Sequence, residues 1–471
     1  MSFWNKVKNV FKKRRFDAAT ASPRLYPVSV SNCNVNADLE MDWIALTMRA
    51  RNLAKNNEFV TGYLANIDRN VIGAEGFSLQ SRASTEFLRD TIKQHWNDYQ
   101  SAWGTYVTLD EHGSGRDFDA LIQRSLLVDG EAFIRCVEDP ESPYLYRYEL
   151  LDPMQITPMY NVPRLNGGGQ IIMGVEFDAR GREVAYYYRE LVANYYSAGY
   201  DLRIPASEII HLYKRNFVNQ ARGYSSLAPA ILNLSQMDEY KQAEVIHARI
   251  QACTMAVWEQ NGQPAGDLLD ETDQHGEFVR EMKPGIFPVA PKGYTAKTLS
   301  VSSPSGQFAM FWKAMLRSIA NSLGISYNKA AGDYESVNYS SLREATLEDR
   351  ASFEEMQRYL IENWKSRQFR RFVYALAVTG RIAYNSLDDA IRHRFFGKRF
   401  PWVDPVKELA AKEKEFDLLL TDPLTALEER GIDPVELLDR WAEWNKMLQD
   451  RNIPFAVKPP IELTQNEVEN E

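Results

Sequence analysis

The chain has 471 residues, 44% of them hydrophobic, with 10 tryptophans, enough to bury a large core and to exclude a disordered chain. Its 55 basic and 64 acidic residues leave a formal charge of −9, which argues against a tight, charge-driven grip on nucleic acid and is compatible with a surface that a polyanion slides past. Cys33, Cys136 and Cys253 are spaced for neither a disulfide framework nor a metal site, and no apolar run approaches the ~18 residues of a membrane span.

The N-terminus is separate in character. Lys6, Lys8, Lys12, Lys13, Arg14 and Arg15 precede the first acid, Asp17, and Phe3, Val7, Val10 and Phe11 fall on one helical face. A basic amphipathic helix for an acidic partner, DNA or a membrane surface and a loosely ordered solvated tail both fit this pattern. Residues 17–37 read as a linker, so residues 1–37 are set apart. Helical periodicity begins near Leu39 and runs to Asn56-Asn57. A second helix follows, with Val60, Tyr63, Leu64, Ile67 and Val71 on one face, and stops at Ile72-Gly73.

Residues 84–128 are expected to be helical, with Trp96 and Trp103 available for the core. From Glu131 the period shifts to two. Glu131–Val137, Tyr144–Leu151, Gln170–Phe177, Glu183–Arg189 and Ile209–Tyr213 read as strands, with a hairpin turn at Ala179-Arg-Gly181. Residues 38–225 are therefore a mixed α+β body. A long helix is expected from about Ala228 to Trp258, spanning roughly 45 Å. A Gly-, Pro- and Asp-rich segment, 259–303, includes a short β-like piece at Gly285–Val289. The next helix covers Gln307–Leu323, punctuated by Pro304 and Gly324.

Then comes a polar stretch, Ile325 to Ser341, rich in Tyr, Asn, Ser and Gly. The following helix is expected to start with a capping box, Ser341-Leu-Arg-Glu344, and to carry Phe353, Met356, Leu360 and Trp364 on its core side. A long polar loop pinned between two firm helices is a functional candidate. Beyond it the chain is helical again, broken at Asp422-Pro423 and Asp433-Pro434, and ends in an acidic dozen residues.

Motifs of catalysis are missing. There is no Gly-x4-Gly-Lys-Ser/Thr loop, and Gly167-Gly-Gly169 reads as a hairpin tip. His95, His112, His211, His247, His275 and His393 make no paired ligand spacing, and no Gly-x-Ser-x-Gly elbow is present.

Several short elements occur in a distinctive order. Arg49-Ala-Arg51 leads to Asn56-Asn57; Val128-Asp-Gly-Glu131, Gly174-Val-Glu-Phe-Asp178 and Ile204-Pro-Ala206 through Leu212 follow, then Arg222-Gly223. The densest set is Ile319-Ala-Asn-Ser-Leu-Gly-Ile325, Gly332-Asp-Tyr334 and Asn338-Tyr-Ser-Ser341, with Trp402-Val-Asp-Pro405 further on. In this order and spacing the chain, from about Leu39 to Glu408, resembles the lambda-like family of tailed-bacteriophage portal proteins.

The resemblance implies a predominantly helical α+β portal fold that assembles as a dodecameric ring at one capsid vertex. It implies a wing-like body at 38–225, a first stem helix at 226–258, a clip at 259–303 and a second stem helix at 304–324. A tunnel loop at 325–340, a long wing helix at 341–365, and a crown or upper wing with an acidic tail at 366–471 complete it. Its implied partners are further copies of itself, double-stranded DNA passing without sequence readout, terminase, the major capsid and scaffold proteins, and a head-tail adaptor. No cofactor, metal, catalytic residue or membrane is implied. The location is the virion, after assembly in the host cytoplasm.

The loop would line the constriction with Asn328, Lys329, Asp333, Tyr334, Asn338 and Tyr339. Lys329 is its one base and is opposed by Asp333 and Glu335. Lys313 and Arg317, four apart on one helical face, would look into the channel or pair with acids of a neighbouring subunit. The competing expectations are a metal-dependent DNA-processing enzyme, which needs a carboxylate cluster, and a capsid scaffold or adaptor without a channel.

Overall fold

The computed structural model describes residues 34–101, 103, 105–190, 201–252, 256–260, 294–298, 305–335, 337–401 and 404–451. The chain forms two compact units. Of the described residues, the smaller comprises those up to Leu46 together with those within Met154–Ala206 and Lys214–Tyr224, and the larger those within Thr47–Pro153, Ser207–Tyr213 and from Ser225 onward.

The smaller unit is built on an antiparallel meander of four strands, Gln170–Ile172, Val175–Phe177, Glu183–Arg189 and Asp201–Pro205, hydrogen-bonded in that order. Alternation places Tyr186 and Tyr188 together on one buried face, and Ala185 is buried on the opposite face. Leu39 and Trp43, early in the helix Val35–Asn56, join Met173 in its apolar centre. Arg222 is fully buried there: its Nη1 donates to the carbonyls of Ile156 (3.0 Å) and Met173 (2.8 Å), and its guanidinium lies 4.5 Å from the Trp43 ring centre. The Arg222-Gly223 element is thus a structural clamp, completed by Trp43 Nε1 donating to the Gly223 carbonyl at 2.8 Å.

Gln170–Phe177, expected as one strand, is two. Met173 (φ 48°) and Gly174 (φ 81°) are both left-handed, the requirement of a two-residue type I′ hairpin. Periodicity does not record such a reversal, because Ile-Ile-Met-Gly-Val reads as a continuous apolar run. A Cβ on Gly174 would sit 2.7 Å from the Thr157 carbonyl oxygen. Gly174→Ala is therefore expected to destabilise this unit by about 1–2 kcal/mol or more, read as amide exchange several-fold faster across residues 170–189; wild-type exchange there would contradict the clash. The expected hairpin at Ala179-Arg-Gly181 is present, with Gly181 at φ 76° and the Asp178 carboxylate accepting from the Arg180 and Arg182 amides.

The larger unit holds an antiparallel three-stranded sheet with Glu131–Glu138 in the centre and Tyr146–Leu151 and Ile209–Tyr213 on either side. Helices Glu58–Ile67, Glu86–Gln100 and Gly115–Val128 contribute Val60, Tyr63, Leu64, Ile67, Trp96, Tyr99, Phe118 and Ile122 to one continuous core. Trp96 meets Phe369, Phe372 and Phe395 at centroid distances of 5.5, 5.1 and 5.6 Å. Trp103 does not join it: the helix stops at Gln100 and Trp103 is 99% exposed. Residues 84–128 are accordingly two helices separated by an irregular stretch. A further strand pair, Ser78–Ser81 with His393–Phe396, joins segments more than three hundred residues apart.

The helix expected over 228–258 is shorter. A 3-10 turn at Ala228–Ala230 leads into Ile231–Ala252, and Ala256–Gln260 is a strand paired antiparallel with Tyr294–Thr298. Val257 and Trp258 suit a strand as well as a helix face, and the partner strand decides. The rest of the 259–303 segment, including Gly285–Val289, lies outside the described residues, as do Trp402 and the tail before Asn34. Towards the C-terminus, Pro405–Asp417, Pro423–Glu429 and Pro434–Asp450 each begin with proline preceded by aspartate. The aspartate accepts a backbone N–H of the first turn and proline fills a position that needs no donor.

The helix Tyr339–Leu360 continues through a π-helical turn, Ile361–Lys365, into Ser366–Val378. Phe353, Leu360 and Trp364 are fully buried along it, as their spacing predicts. A second π-helical turn, Asp68–Ile72, ends the helix that begins at Glu58, and the Gln357 side-chain amide donates to its Asn70 and Val71 carbonyls.

Candidate functional site: the helix-bounded loop

The loop begins where helix Ser305–Ser322 ends. Gly324 is left-handed (φ 70°), the Ile325 amide donates to the Ala320 carbonyl at 3.1 Å and the Gly324 amide to that of Asn321 at 3.2 Å. This is a Schellman stop, and glycine occupies the one position that needs positive φ. Ile319, Leu323 and Ile325 are buried around it, and the Tyr63 hydroxyl donates to the Leu323 carbonyl at 3.3 Å.

The polar stretch that follows is not a bare loop. Tyr327–Ala331 is a single helical turn closed by left-handed Gly332, and Tyr327, Ala330 and Ala331 pack against the core. Its start is held by Asp349, a buried acid of the next helix. Both the Ser326 amide and the Ser326 hydroxyl donate to that carboxylate at 2.7 Å. The far end is held by Asn338, whose side chain caps Tyr339–Leu360 by accepting from the Ser341 amide at 2.8 Å. The helix thus starts two residues before the expected Ser341 capping box. Asn338 is as good a cap as serine and comes first in the chain.

The residues singled out from the sequence fall into two groups. Lys313, Arg317 and Asp333 form one cluster with Tyr327. Lys313 Nζ lies 3.0 Å from Asp333 Oδ2, the Tyr327 hydroxyl donates to the same oxygen at 2.8 Å, and the Arg317 guanidinium lies 5.3 Å from the Tyr327 ring centre. The Tyr327 hydroxyl and Lys313 hold the Asp333 carboxyl below its usual range, while burial and Asp333 push the Tyr327 hydroxyl up to about 12. Both bases of helix Ser305–Ser322 therefore have partners within their own chain.

Lys329 is turned inward. Its ammonium lies 4.5 Å from the Phe353 ring centre and 4.0 Å from Asp349, and burial draws its pKa below the ordinary lysine value despite that carboxylate. Tyr334 and Tyr339 point the other way, 57% and 54% exposed, with Asn338 and Glu335 also at the surface. Asn328 is half-buried on the helical turn.

Sequence reasoning missed Asp349. The signal was present: Asp349, Phe353, Met356 and Leu360 recur at spacings of four, three and four, so the acid stands in an apolar stripe. A carboxylate there needs a buried partner.

The other short elements converge away from the loop. Arg51 donates to Asp129 at 2.6 Å and bidentately to Asp152 at 2.6 and 3.0 Å, so Arg49-Ala-Arg51 meets Val128-Asp-Gly-Glu131 in space. Glu131 and His211 form a pair at 3.1 Å with both side chains fully buried. These are framework contacts. Among the described residues no group of three or more His, Cys, Asp or Glu side chains is placed to hold a metal ion, and no helix is long and apolar enough to cross a membrane.

The family model described as phage portal protein, lambda family, matches residues 22–357. The chain is 25% identical over 429 residues to a probable portal protein of Halomonas phage phiHAP-1, covering 88% of this chain and 82% of that one. It is 19% identical over 407 residues to portal protein B of Escherichia phage lambda, covering 78% and 75%. Among solved structures, the neck of a native gene transfer agent particle, computed with twelvefold symmetry, matches 83% of this chain and 94% of its own at 13% identity and a TM-score of 0.45.

Proposed function

The chain belongs to the lambda family of phage portal proteins, and from that premise we propose that it closes into a dodecameric ring at one capsid vertex and conducts double-stranded DNA during packaging and ejection. It is the head-tail connector of its particle. In this reading terminase, the major capsid and scaffold proteins and a head-tail adaptor dock on it, with the 259–303 segment as the clip that meets the packaging and tail proteins. It resides in the virion after assembly in the host cytoplasm, and its role is that of a conduit. A metal-dependent DNA-processing enzyme or a channel-less scaffold gains no support from the family match.

The observation that supports the ring is the paired stem helices. Ile231–Ala252 and Ser305–Ser322 meet through Tyr240 against Phe308 and Phe311, at centroid distances of 5.4 and 5.2 Å. Leu232, Ile246 and Met310 remain 66%, 55% and 69% exposed. Apolar side chains left outside such a pair are what a neighbouring copy covers. Within the ring, the loop at 325–340 lines the constriction. Tyr334, Asn338 and Tyr339 touch the duplex without reading sequence, and Asp333 and Lys329 hold the loop's shape from behind.

Electron micrographs of the purified protein should show rings around an open hole; compact particles without a hole, at concentrations that favour assembly, would overturn the conduit. Deleting residues 330–337 should leave rings intact and lower the DNA packaged or retained, and wild-type genome loading would remove the loop from the mechanism.

A further inference from the structure

Helix Ser366–Val378 has two unlike faces and no acidic residue. Phe369, Phe372, Val373 and Leu376 are buried in the core of the larger unit. On the opposite face Arg367, Arg370 and Arg371 fall within little more than one turn, followed by Tyr374 and Val378, 53% and 54% exposed. Arg367 and Arg370 form no hydrogen bond and no ion pair among the described residues. Neither does Arg371, which lies 5.6 Å from the Tyr146 ring centre. Arg371 and the acids Glu138 and Glu208 all act on the buried Cys136 thiol, yet Arg371 pairs with neither acid, and Glu208 leans instead towards Arg135 at 3.9 Å. Unpaired guanidiniums beside exposed apolar groups fit a partner in which carboxylates alternate with apolar side chains.

The chain contains such a partner. Residues 459–471, outside the described residues, carry Glu462, Glu467, Glu469 and Glu471 and no base, interleaved with Ile461, Leu463 and Val468. The helix that precedes them, Pro434–Asp450, is tied to helix Glu86–Gln100 by Glu436 and Lys93 at 2.7 Å. Helix Ser366–Val378 packs on that same helix, through Phe369 and Phe372 against Trp96, one turn on from Lys93. Eleven residues separate Arg451 from Glu462, a reach of up to roughly 36 Å, whereas Pro434–Asp450 is about 25 Å long in all. The arginine face is therefore within reach of these acids, and tethering gives them an advantage over any free anion.

We propose that residues 459–471 lie along the Arg367–Arg370–Arg371 face of their own chain, carboxylates on the guanidiniums and apolar side chains against Tyr374 and Val378. The contact closes this basic face to other polyanions, DNA among them. It stands whether or not the ring forms. The test uses full-length protein with Cys33→Ser and Cys253→Ser, buried Cys136 left in place, and Tyr374→Cys with Leu463→Cys on one chain. Oxidation at low salt is expected to give an intramolecular disulfide, identified by peptide mass. Its rate should fall at least tenfold on adding Arg367→Gln with Arg370→Gln, both at exposed positions. Glu462→Gln, Glu467→Gln, Glu469→Gln and Glu471→Gln together should do the same, as should about 1 M salt, which screens charges beyond ~3 Å. A rate indifferent to all three is that of chance encounter along the tether and overturns the contact, as does a disulfide formed only between copies. Short labelled duplex DNA should bind the quadruple Glu→Gln chain at least fivefold more tightly than the parent, and the gain should vanish with Arg367→Gln and Arg370→Gln. Equal, arginine-dependent binding by both chains would assign the face to nucleic acid instead and overturn the proposal.

Discussion

Replacing Asp119 by alanine should cost the larger unit about 3–5 kcal/mol, the penalty for leaving one member of a buried ion pair alone. Asp119 and Lys365 are each 1% exposed and their charged atoms lie 3.0 Å apart. Trp364 Nε1 donates to the other Asp119 oxygen at 2.6 Å, and Lys365 Nζ also donates to the Gln100 side-chain carbonyl at 3.1 Å. Burial draws the lysine pKa down and pushes that of the aspartate up, and each partner opposes the shift of the other. Removing the acid leaves a desolvated ammonium with one neutral acceptor and the Trp96 ring, 5.2 Å away. Urea unfolding should show the loss as a lower midpoint. The double variant Asp119→Ala, Lys365→Met should recover most of it, because burying neither charge is cheaper than burying one. A double variant as unstable as the single one would mean that packing around Trp364, not charge, sets the cost.

The second large effect is expected at Asp349. Alanine there removes the acceptor of both Ser326 bonds and the counter-charge of Lys329 at once. Hydrogen bonds to a charged group contribute about 1.5–3 kcal/mol each, so the turn Tyr327–Ala331 should detach locally while helices Ser305–Ser322 and Tyr339–Leu360 persist. Amide exchange over 326–335 should rise at least tenfold, and particles carrying the change should retain less DNA. Unchanged exchange would show that core contacts of Tyr327 and Ala330 suffice.

Asp333 provides a separate handle through pH. Its carboxyl is held below the ordinary 3.8 by Tyr327 and Lys313. A depressed acid contributes stability that is fully present above its unfolded value and is lost only as pH falls through the lower folded one. Mild acid above 3.8 should therefore leave this tether intact, whereas Asp333→Asn should loosen it at neutral pH. A charge reversal at Lys329 is not a clean probe of its charge. It would set a carboxylate against Asp349 and disturb the loop's support as well as its charge; Lys329→Met removes the charge alone.

Local signals carried much of this architecture. The Val60–Ile67 stripe, the Asp-Pro helix starts, the Asp178–Arg182 hairpin and the two helices around the loop all follow from neighbouring residues, and the structure has them. What failed was decided elsewhere in the chain. Ser78–Ser81 becomes a strand because His393–Phe396 lies beside it. Ala256–Gln260 leaves the helix because Tyr294–Thr298 pairs with it. The inward turn of Lys329 depends on Phe353 and Asp349, a helix away. The left-handed Met173 was hidden because apolar periodicity carries no sign of φ.

The loop's two ends share one support. It is fastened to Asp349 at Ser326 and merges into the same helix at Asn338. Asn338 and Asp349 are eleven residues apart, which on an α-helix is about 16 Å. That helix acts as a ruler, fixing the distance between the loop's attachment points. With both fastenings intact the span cannot stretch or shorten, so Tyr334 and Tyr339 travel as the ruler tilts. If the loop lines the constriction of the proposed ring, the width of that aperture is a lever's reading of helix inclination.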